Sequence, residues 1–222
     1  NLLEDSNPDS PNTLITRAQG LMHNHDSVAL QSLLEKLQQQ AKNHKQIEHC
    51  LNSALTWLVA DFVRNRNQEK LTGLWKKYSS NIRPQQTLLR LYCNALIDAE
   101  NDLQAEQIIS QELNTHWDDA LLRSYARLNL DNHQQRIQQL KQWLNKQPQH
   151  ATLLQLIGHL QLAQGDAKKA IKYLGKSLDI KPSIASYADL VQAHEQLEQP
   201  LQAREYAKLG LTLANEELIS KR

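Results

Sequence analysis

Nine histidines and two cysteines are the side chains of this chain that could bind a metal or a cofactor. His23 and His25 are the only close pair, and a His-x-His spacing can supply two nitrogen ligands to a transition metal. The pair lies at the junction of a helix and a loop, so an ordinary surface pair is the alternative. His159 lies on a predicted helix. It is either a solvated surface histidine or a contact for a ligand, including an axial ligand to haem.

Cys50 and Cys93 both lie within helical patterns of apolar residues. Such positions favour buried free thiols over a disulfide or a reactive thiol. The motifs GxGxxG, GxxxxGK[ST], HExxH, CxxC and GxSxG are absent from the sequence, so it carries no nucleotide, flavin or zinc signature. We therefore expect a protein that is not an enzyme and has no cofactor, with haem or porphyrin left open through His159.

The composition favours an all-α protein. Hydrophobic residues make up 40% of the 222 residues, aromatic residues 5%, and glycine and proline occur six times each. Alanine, leucine, glutamine and lysine are good helix formers. A net charge of +1 gives no electrostatic basis for general nucleic-acid binding. No run of 18 apolar residues occurs, so the sequence contains no candidate membrane span.

One segment, Ala151–Pro182, has the spacing of two antiparallel helices in about 34 residues. Gly158 and Ala170 are small at the two positions where the helices should touch. Gly165 and Asp166 supply the turn, and proline stops the second helix. The segment resembles a tetratricopeptide repeat (TPR). The residues that carry its packing pattern are Leu154, Ile157, Gly158, Ala170, Leu174 and Pro182.

The same pattern recurs on both sides of this segment, with Tyr187, Leu190 and Ala203 as its counterparts in the next block. A single helix pair cannot bury its apolar face, so repeats of this kind stack. The sequence predicts a TPR-type, right-handed α-solenoid of antiparallel helix pairs with about 11–13 helices in one continuous array. Four TPR-like units are expected within residues 84–222: 86–117, 118–150, 151–183 and 184–215.

Residues 1–83 are expected to form degenerate helical repeats that include a long helix near residues 45–66. Leu2, Leu3 and Glu4 followed by Pro8 and Pro11 are interpreted as the end of a second repeat helix, so that the chain begins within a repeat. A disordered tail is the alternative. The first helix of unit 118–150 is expected to span about residues 118–130.

Helical periodicity predicts which side chains face the concave groove of the two best repeats. The positions are Thr152, Gln155, His159 and Leu162 on one helix, and Ala185, Ala188, Gln192 and Glu195 on the next. These positions hold no basic clamp of the kind in which Lys, Arg and Asn grip the carboxylate of chaperone tails. The expected contacts to a partner protein are Thr152, Gln155, His159, Gln192 and Glu195.

Several segments in order resemble one family beyond the general repeat. They are LTGLWKKYSSNIRPQQTLLRLYCNALIDAENDLQAEQIISQEL (71–113), the block 135–148, the LIGHLQLAQGDAKKAIKYLGKSL repeat, and YADLVQAHEQLEQPLQAREYAKLGL (187–211). Together they are similar to the C-terminal part of HemY proteins, bacterial TPR proteins associated with late haem biosynthesis.

The resemblance implies properties that composition does not show. HemY proteins carry two N-terminal membrane helices, which are missing from this sequence. The resemblance implies that the chain is part of a protein of the bacterial inner membrane, with the repeats expected on the cytoplasmic side. The family offers no catalytic residues to transfer. The name is shared with an unrelated flavin-dependent protoporphyrinogen oxidase, whose dinucleotide fingerprint is absent here.

Three functions follow as hypotheses. The first is a scaffold that binds a protein of late haem synthesis, such as ferrochelatase or protoporphyrinogen oxidase. The second is a carrier of porphyrin or haem that uses His159. The third is a general peptide-binding TPR module unrelated to haem.

Overall fold

The structure, a computed structural model, describes residues 8–83 and 85–220, and within these ranges the chain forms twelve helices and no strand. The chain divides into two compact units, which meet in sequence between Leu128 and Asn129. Unit 1 contains α1 (Pro11–His23), α2 (Ser27–Ala41), α3 (Lys45–Arg64), α4 (Gln68–Ile82), α5 (Gln86–Asp98), α6 (Asp102–Thr115) and α7 (Asp119–Ala126). Unit 2 contains α8 (His133–Lys146), α9 (Ala151–Ala163), α10 (Ala167–Ile180), α11 (Ile184–Gln196) and α12 (Pro200–Ile219).

Five helix pairs are joined by the same turn. In each, the first helix ends with one residue of positive φ, and the next backbone N–H donates to the carbonyl five residues earlier, as in a Schellman motif. The five N–H to O distances lie between 2.8 and 3.0 Å. The residues of positive φ are His25, Arg66, Glu100, Gly165 and Glu198. Only one of the five is glycine, which explains why the sequence showed the turn clearly in a single repeat.

The left-handed conformation at a residue with a β-carbon costs about 1–2 kcal/mol. We therefore expect Glu198→Gly to raise the free energy of unfolding of unit 2 by about 1 kcal/mol, and Gly165→Ala to lower it by a similar amount. Urea unfolding followed by circular dichroism measures both changes. Glu198→Ala is the matched control, because it removes the carboxylate and keeps the β-carbon. A gain in Glu198→Ala equal to that in Glu198→Gly would contradict the backbone explanation.

Side-chain caps start many of the helices. Oxygens of Asp26, Asn67, Asp166 and Ser183 accept hydrogen bonds from backbone N–H groups in the first turn of α2, α4, α10 and α11. These N–H groups have no partner within the helix, so the caps satisfy them.

No bounds were predicted from the sequence for the helix that precedes His25, which is α1. Ser10 caps its first turn and Pro11 occupies its first helical position, where the fixed φ of proline favours a helix. Pro11 therefore opens α1, and the expected helix end before it stays a prediction. The interpreted helix end at Leu2–Glu4 lies outside the described residues.

The long helix expected near residues 45–66 is confirmed as α3, which has 20 residues. Helix α7 has eight residues and ends at Ala126, several residues before the expected end near 130. The sequence after it, Leu128 to Asn132, carries asparagine and aspartate, which compete for backbone hydrogen bonds and favour turns. The predicted boundary at 83/84, the four units and the single continuous array stay predictions.

Each unit has its own apolar core. In unit 1, Leu34, Leu55, Phe62 and Tyr92 are all 1% exposed or less. Cys50 and Cys93 are buried free thiols, as predicted. In unit 2, Leu162, Ala167, Ala170, Leu174, Leu190 and Ala193 form a buried cluster.

None of the helices in the described ranges combines the length and apolarity that a membrane crossing requires.

Candidate functional site

The clearest repeat places α9 and α10 in close contact. A β-carbon at Gly158 would lie 2.7 Å from Cγ of Leu174 and 3.3 Å from the carbonyl oxygen of Ala170. The absence of a side chain at Gly158 thus lets α9 and α10 approach each other closely. Leu154, Ile157, Ala170 and Leu174 are all buried around it, and this packing fixes the orientation of α9.

The remaining residues of the predicted packing set lie at α10, α11 and α12. Leu190 and Ala203 are buried, at 1% and 5% exposure. Tyr187 is half-buried, and a β-carbon at Gly210 would come within 3.1 Å of its Cβ, so α11 and α12 also approach closely there. Pro182 is exposed and follows Lys181, the last residue that bonds back into α10.

The predicted partner contacts lie on α9 and α11, two helices that contact each other directly. His159, Gln192 and Glu195 are exposed, and Thr152 and Gln155 are partly exposed. We call these five residues, with the Asp189 described below, the α9–α11 face. Leu162, expected to face the groove, is 2% exposed and belongs to the core cluster of unit 2. It therefore contributes to stability and does not line the face.

Asp189 connects the two helices of this face. One carboxylate oxygen accepts a hydrogen bond from Nε2 of Gln155 at 2.7 Å, and the other lies 2.9 Å from Nδ1 of His159. The Asp189 side chain is 10% exposed and that of His159 is 50% exposed. One carboxylate thus positions two polar side chains of the neighbouring helix, which leaves them ordered before any partner binds.

Asp189 was missed in the sequence, although a signal for it exists. With α9 beginning at Ala151 and α11 at Ile184, Asp189 occupies the repeat position of Leu156, which is buried. A carboxylate at a buried, apolar repeat position needs hydrogen-bond partners. The partners must come from the preceding repeat, since that is the surface against which this position packs.

The contact between Asp189 and His159 changes the pKa of the histidine. The hydrogen bond that His159 donates to Asp189 raises the pKa of His159, and the negative charge of Asp189 adds to this. Burial of the ring and the positive charge of Arg136 lower it. With Nδ1 donating to the carboxylate, Nε2 is the ring nitrogen available to a ligand. The protonated imidazole can donate to an acceptor on a partner. The neutral imidazole has the arrangement of a metal-bound histidine, whose second nitrogen donates to a carboxylate.

The sign of the pH effect follows from the raised pKa. The folded-state pKa of His159 exceeds its unfolded value near 6.5, so the pair stabilises unit 2 fully below about pH 6.5. The stabilisation is lost as the pH rises through the folded-state value. Because His159 is half exposed, we expect less than about 1 kcal/mol.

Titration of His159 by NMR measures this effect, with Asp189→Asn as the comparison. The variant should show a lower pKa of His159, and its loss of stability relative to the parent chain should be larger at pH 5.5 than at pH 8.5. An unchanged pKa of His159 in Asp189→Asn would contradict the contact.

The other sequence candidates are not brought together. His25 lies in the turn after α1, with its ring centroid 5.8 Å from that of Trp57, and His23 lies in the last turn of α1. Within residues 8–83 and 85–220, no three His, Cys, Asp or Glu side chains are grouped to hold a metal ion.

Comparisons with known proteins agree with this structure. The family described as Tetratricopeptide repeat matches residues 151–184, which contain α9 and α10. A crystal structure of MamA protein has a similar fold, with a TM-score of 0.50 and 18% sequence identity. The similarity covers 75% of this chain and 95% of MamA. The predicted fold class, an all-α solenoid of TPR-type helix pairs, is confirmed.

Curated relatives extend the similarity beyond one repeat. The chain is 28% identical over 189 residues to Protein HemY of Escherichia coli strain K12, and the match covers 83% of this chain and 48% of that protein. Protein HemY of Shigella flexneri matches with the same identity and coverage. The chain thus spans about half the length of the curated relatives it matches. The resemblance expected from the order of the segments is confirmed, and the chain carries a HemY-like region of tetratricopeptide repeats.

Proposed function

We propose that this chain is a non-enzymatic scaffold that binds a partner protein through the α9–α11 face. The observation that carries the proposal is the bridge from Asp189 to Gln155 and His159. Side chains held in place before binding lose little conformational entropy when a partner arrives. Gln192 and Glu195 are exposed on α11, so the face offers donors and acceptors next to the small side chains of Ala185 and Ala188.

The same proposal assigns the scaffold to late haem biosynthesis, at the inner membrane of a bacterium and on its cytoplasmic side. Similarity to HemY supports the assignment. The proposed partners are ferrochelatase and protoporphyrinogen oxidase, since a scaffold that brings successive enzymes together would raise the local concentration of each for the other.

Affinity capture from bacterial membranes tests this role, with the full-length, membrane-anchored protein as bait. The parent protein should enrich ferrochelatase or protoporphyrinogen oxidase, and a His159→Ala/Gln192→Ala double variant should lose them. Lys172→Ala is the matched control, because Lys172 is exposed on α10, outside the α9–α11 face. Recovery of neither enzyme by the parent protein would overturn the link to haem. Selection of one short peptide motif, with porphyrin levels unchanged on deletion, would favour a general peptide-binding module.

A second function, transport of haem or porphyrin, is favoured by one observation. Asp189 holds His159 with one ring nitrogen engaged and a half-exposed ring, as suits an axial ligand to haem iron. Titration of haem into the protein should then shift the Soret band in a saturable way, and His159→Ala should weaken the shift. The absence of a saturable shift would exclude this function.

A further inference from the structure

A cavity of about 580 Å³ lies between α1 and α3 in unit 1. Its apolar lining includes Ile15, Met22 and Cys50. This volume falls within the range of sites that hold small molecules or a few peptide residues. Neither the sequence patterns nor the proposed function uses this cavity.

The cavity corresponds to the α9–α11 face in the repeat register. Helices α1 and α9 each have 13 residues, and Leu14 and Ala18 are buried where Leu154 and Gly158 are buried. In this register Ile15 and Gln19 correspond to Gln155 and His159. Counting α3 and α11 from their first residues, Cys50 corresponds to Asp189.

The two corresponding faces differ in the residues at their centre. In unit 2 the Asp189 carboxylate joins the two helices through its contacts with Gln155 and His159. In unit 1 the three corresponding residues are Cys50, Ile15 and Gln19, none of which is charged. The same repeat face thus carries a polar bridge in unit 2 and a partly apolar cavity in unit 1.

The rim of the cavity is polar and carries the positive charge of Lys45. Lys45 and His49 line it, and no carboxylate does. Both side chains are exposed, and the structure gives neither an ion-pair partner within the described ranges. An unneutralised ammonium group next to an apolar surface complements a ligand that carries a carboxylate beside an apolar group.

Carboxamides complete the rim and point to a peptide. Asn12 and Gln19 on α1 and Gln46 on α3 line the cavity, and a carboxamide can both donate to a peptide carbonyl and accept from a peptide N–H. Asn12 and Gln19 are seven residues apart, or about 10.5 Å along the helix. An extended chain covers this distance in about three residues.

We infer that the α1–α3 cavity binds an extended peptide segment in which a large apolar side chain lies next to an aspartate or glutamate. The apolar side chain enters between Ile15, Met22 and Cys50, and the carboxylate lies near Lys45. This inference rests on the protein-binding role proposed above, but it does not depend on haem or on the α9–α11 face.

Fluorescence anisotropy with the whole chain tests the inference. The probe is a fluorescein-labelled peptide Gly-Asp-Phe-Asp-Gly, and its counterpart has asparagine in place of both aspartates. We expect saturable binding of the acidic peptide and at least tenfold weaker binding of the amide peptide. Lys45→Glu should weaken binding of the acidic peptide at least tenfold. Gln19→Trp should weaken it by the same factor, because the larger side chain would fill the cavity.

Two control variants distinguish binding in the cavity from a general effect of surface charge and from binding at the α9–α11 face. Lys42→Glu changes the charge by the same amount at an exposed residue outside the cavity lining, and it should alter the affinity less than twofold. His159→Ala should leave the affinity unchanged, whatever the result of the membrane capture. The inference would be overturned if the Lys45→Glu and Lys42→Glu variants bound the acidic peptide with equal affinity. It would also be overturned if binding to the parent chain did not saturate by 1 mM acidic peptide.

Cys50 supplies a second readout. Burial raises the pKa of both thiols, but Cys50 lines the cavity at 6% exposure, whereas Cys93 is fully buried with a pKa raised to about 12. The disulfide reagent DTNB should therefore react first at Cys50. Saturating acidic peptide should slow this reaction severalfold, and the amide peptide should not. Equal rates with and without the acidic peptide would contradict occupation of the cavity.

Discussion

Replacing Tyr92 by alanine is expected to lower the free energy of unfolding of unit 1 by about 3–5 kcal/mol. Tyr92 lies on α5 with no exposed surface. Its ring stacks on that of Trp75 from α4, with centroids 4.6 Å apart and planes 15° apart. Truncation removes this contact and leaves a cavity between two helix pairs. Urea unfolding followed by tryptophan fluorescence measures the change, since three of the four tryptophans, Trp57, Trp75 and Trp117, belong to unit 1.

Tyr92→Phe is the matched control, and we expect the opposite sign. The phenol oxygen is buried and has no hydrogen-bond partner within the described ranges, and burial raises the pKa of Tyr92 well above its ordinary value. Removing an unsatisfied buried hydroxyl recovers its desolvation penalty, so the variant should gain up to about 1 kcal/mol. A loss of more than about 1 kcal/mol in Tyr92→Phe would show that the hydroxyl is satisfied in solution.

Gly158→Ala is expected to destabilise unit 2 by about 2 kcal/mol. The added methyl group would lie 2.7 Å from Cγ and 2.9 Å from Cδ2 of Leu174, and 3.3 Å from a backbone oxygen of α10. Leu174 is fully buried and cannot move away without shifting its own neighbours. The helix propensity of alanine offsets only about 1 kcal/mol of the strain.

Gly175→Ala separates packing from propensity. Gly175 lies on α10 in the same repeat, and an added β-carbon there meets no atom within 4 Å. This variant should gain about 1 kcal/mol from helix propensity, so the two glycine variants should differ by about 3 kcal/mol. Hydrogen–deuterium exchange of α9 and α10 reports both changes. Similar protection in the two variants would mean that close approach of α9 and α10 does not need a glycine.

The repeat architecture was predictable wherever small and apolar residues had to recur at fixed spacing. Gly158, Ala170 and Leu174 define the contact of α9 with α10, and all three lie where that spacing places them. The start of α1 was not assigned because proline begins a helix as readily as it follows the end of one. Its start depends on Ser10 as an N-cap, and Ser10 is a weaker sequence signal than the prolines near it.

The candidate site was predictable only in part. Periodicity identified Gln155, His159 and Gln192 as surface positions, because a helix presents one face at a time. Periodicity within one helix did not identify Asp189, whose partners lie 30 and 34 residues away. The signal appears only when α11 is compared with α9, where the equivalent residue is the buried Leu156. The correspondence between the α1–α3 cavity and the α9–α11 face also becomes visible only when repeats are compared. It requires knowing which residues of α1 and α9 are equivalent, and the register became clear only from the buried positions of both helices.

Direct binding of purified ferrochelatase and protoporphyrinogen oxidase tests most directly whether the α9–α11 face is a partner-binding surface. Biolayer interferometry with the full-length protein should show saturable binding of at least one enzyme. Asp189→Asn should weaken that binding at least tenfold, because it releases Gln155 and His159 from their positions, and Lys172→Ala should leave it unchanged. Failure of both enzymes to bind, or equal binding by Asp189→Asn and the parent protein, would contradict the proposed scaffold.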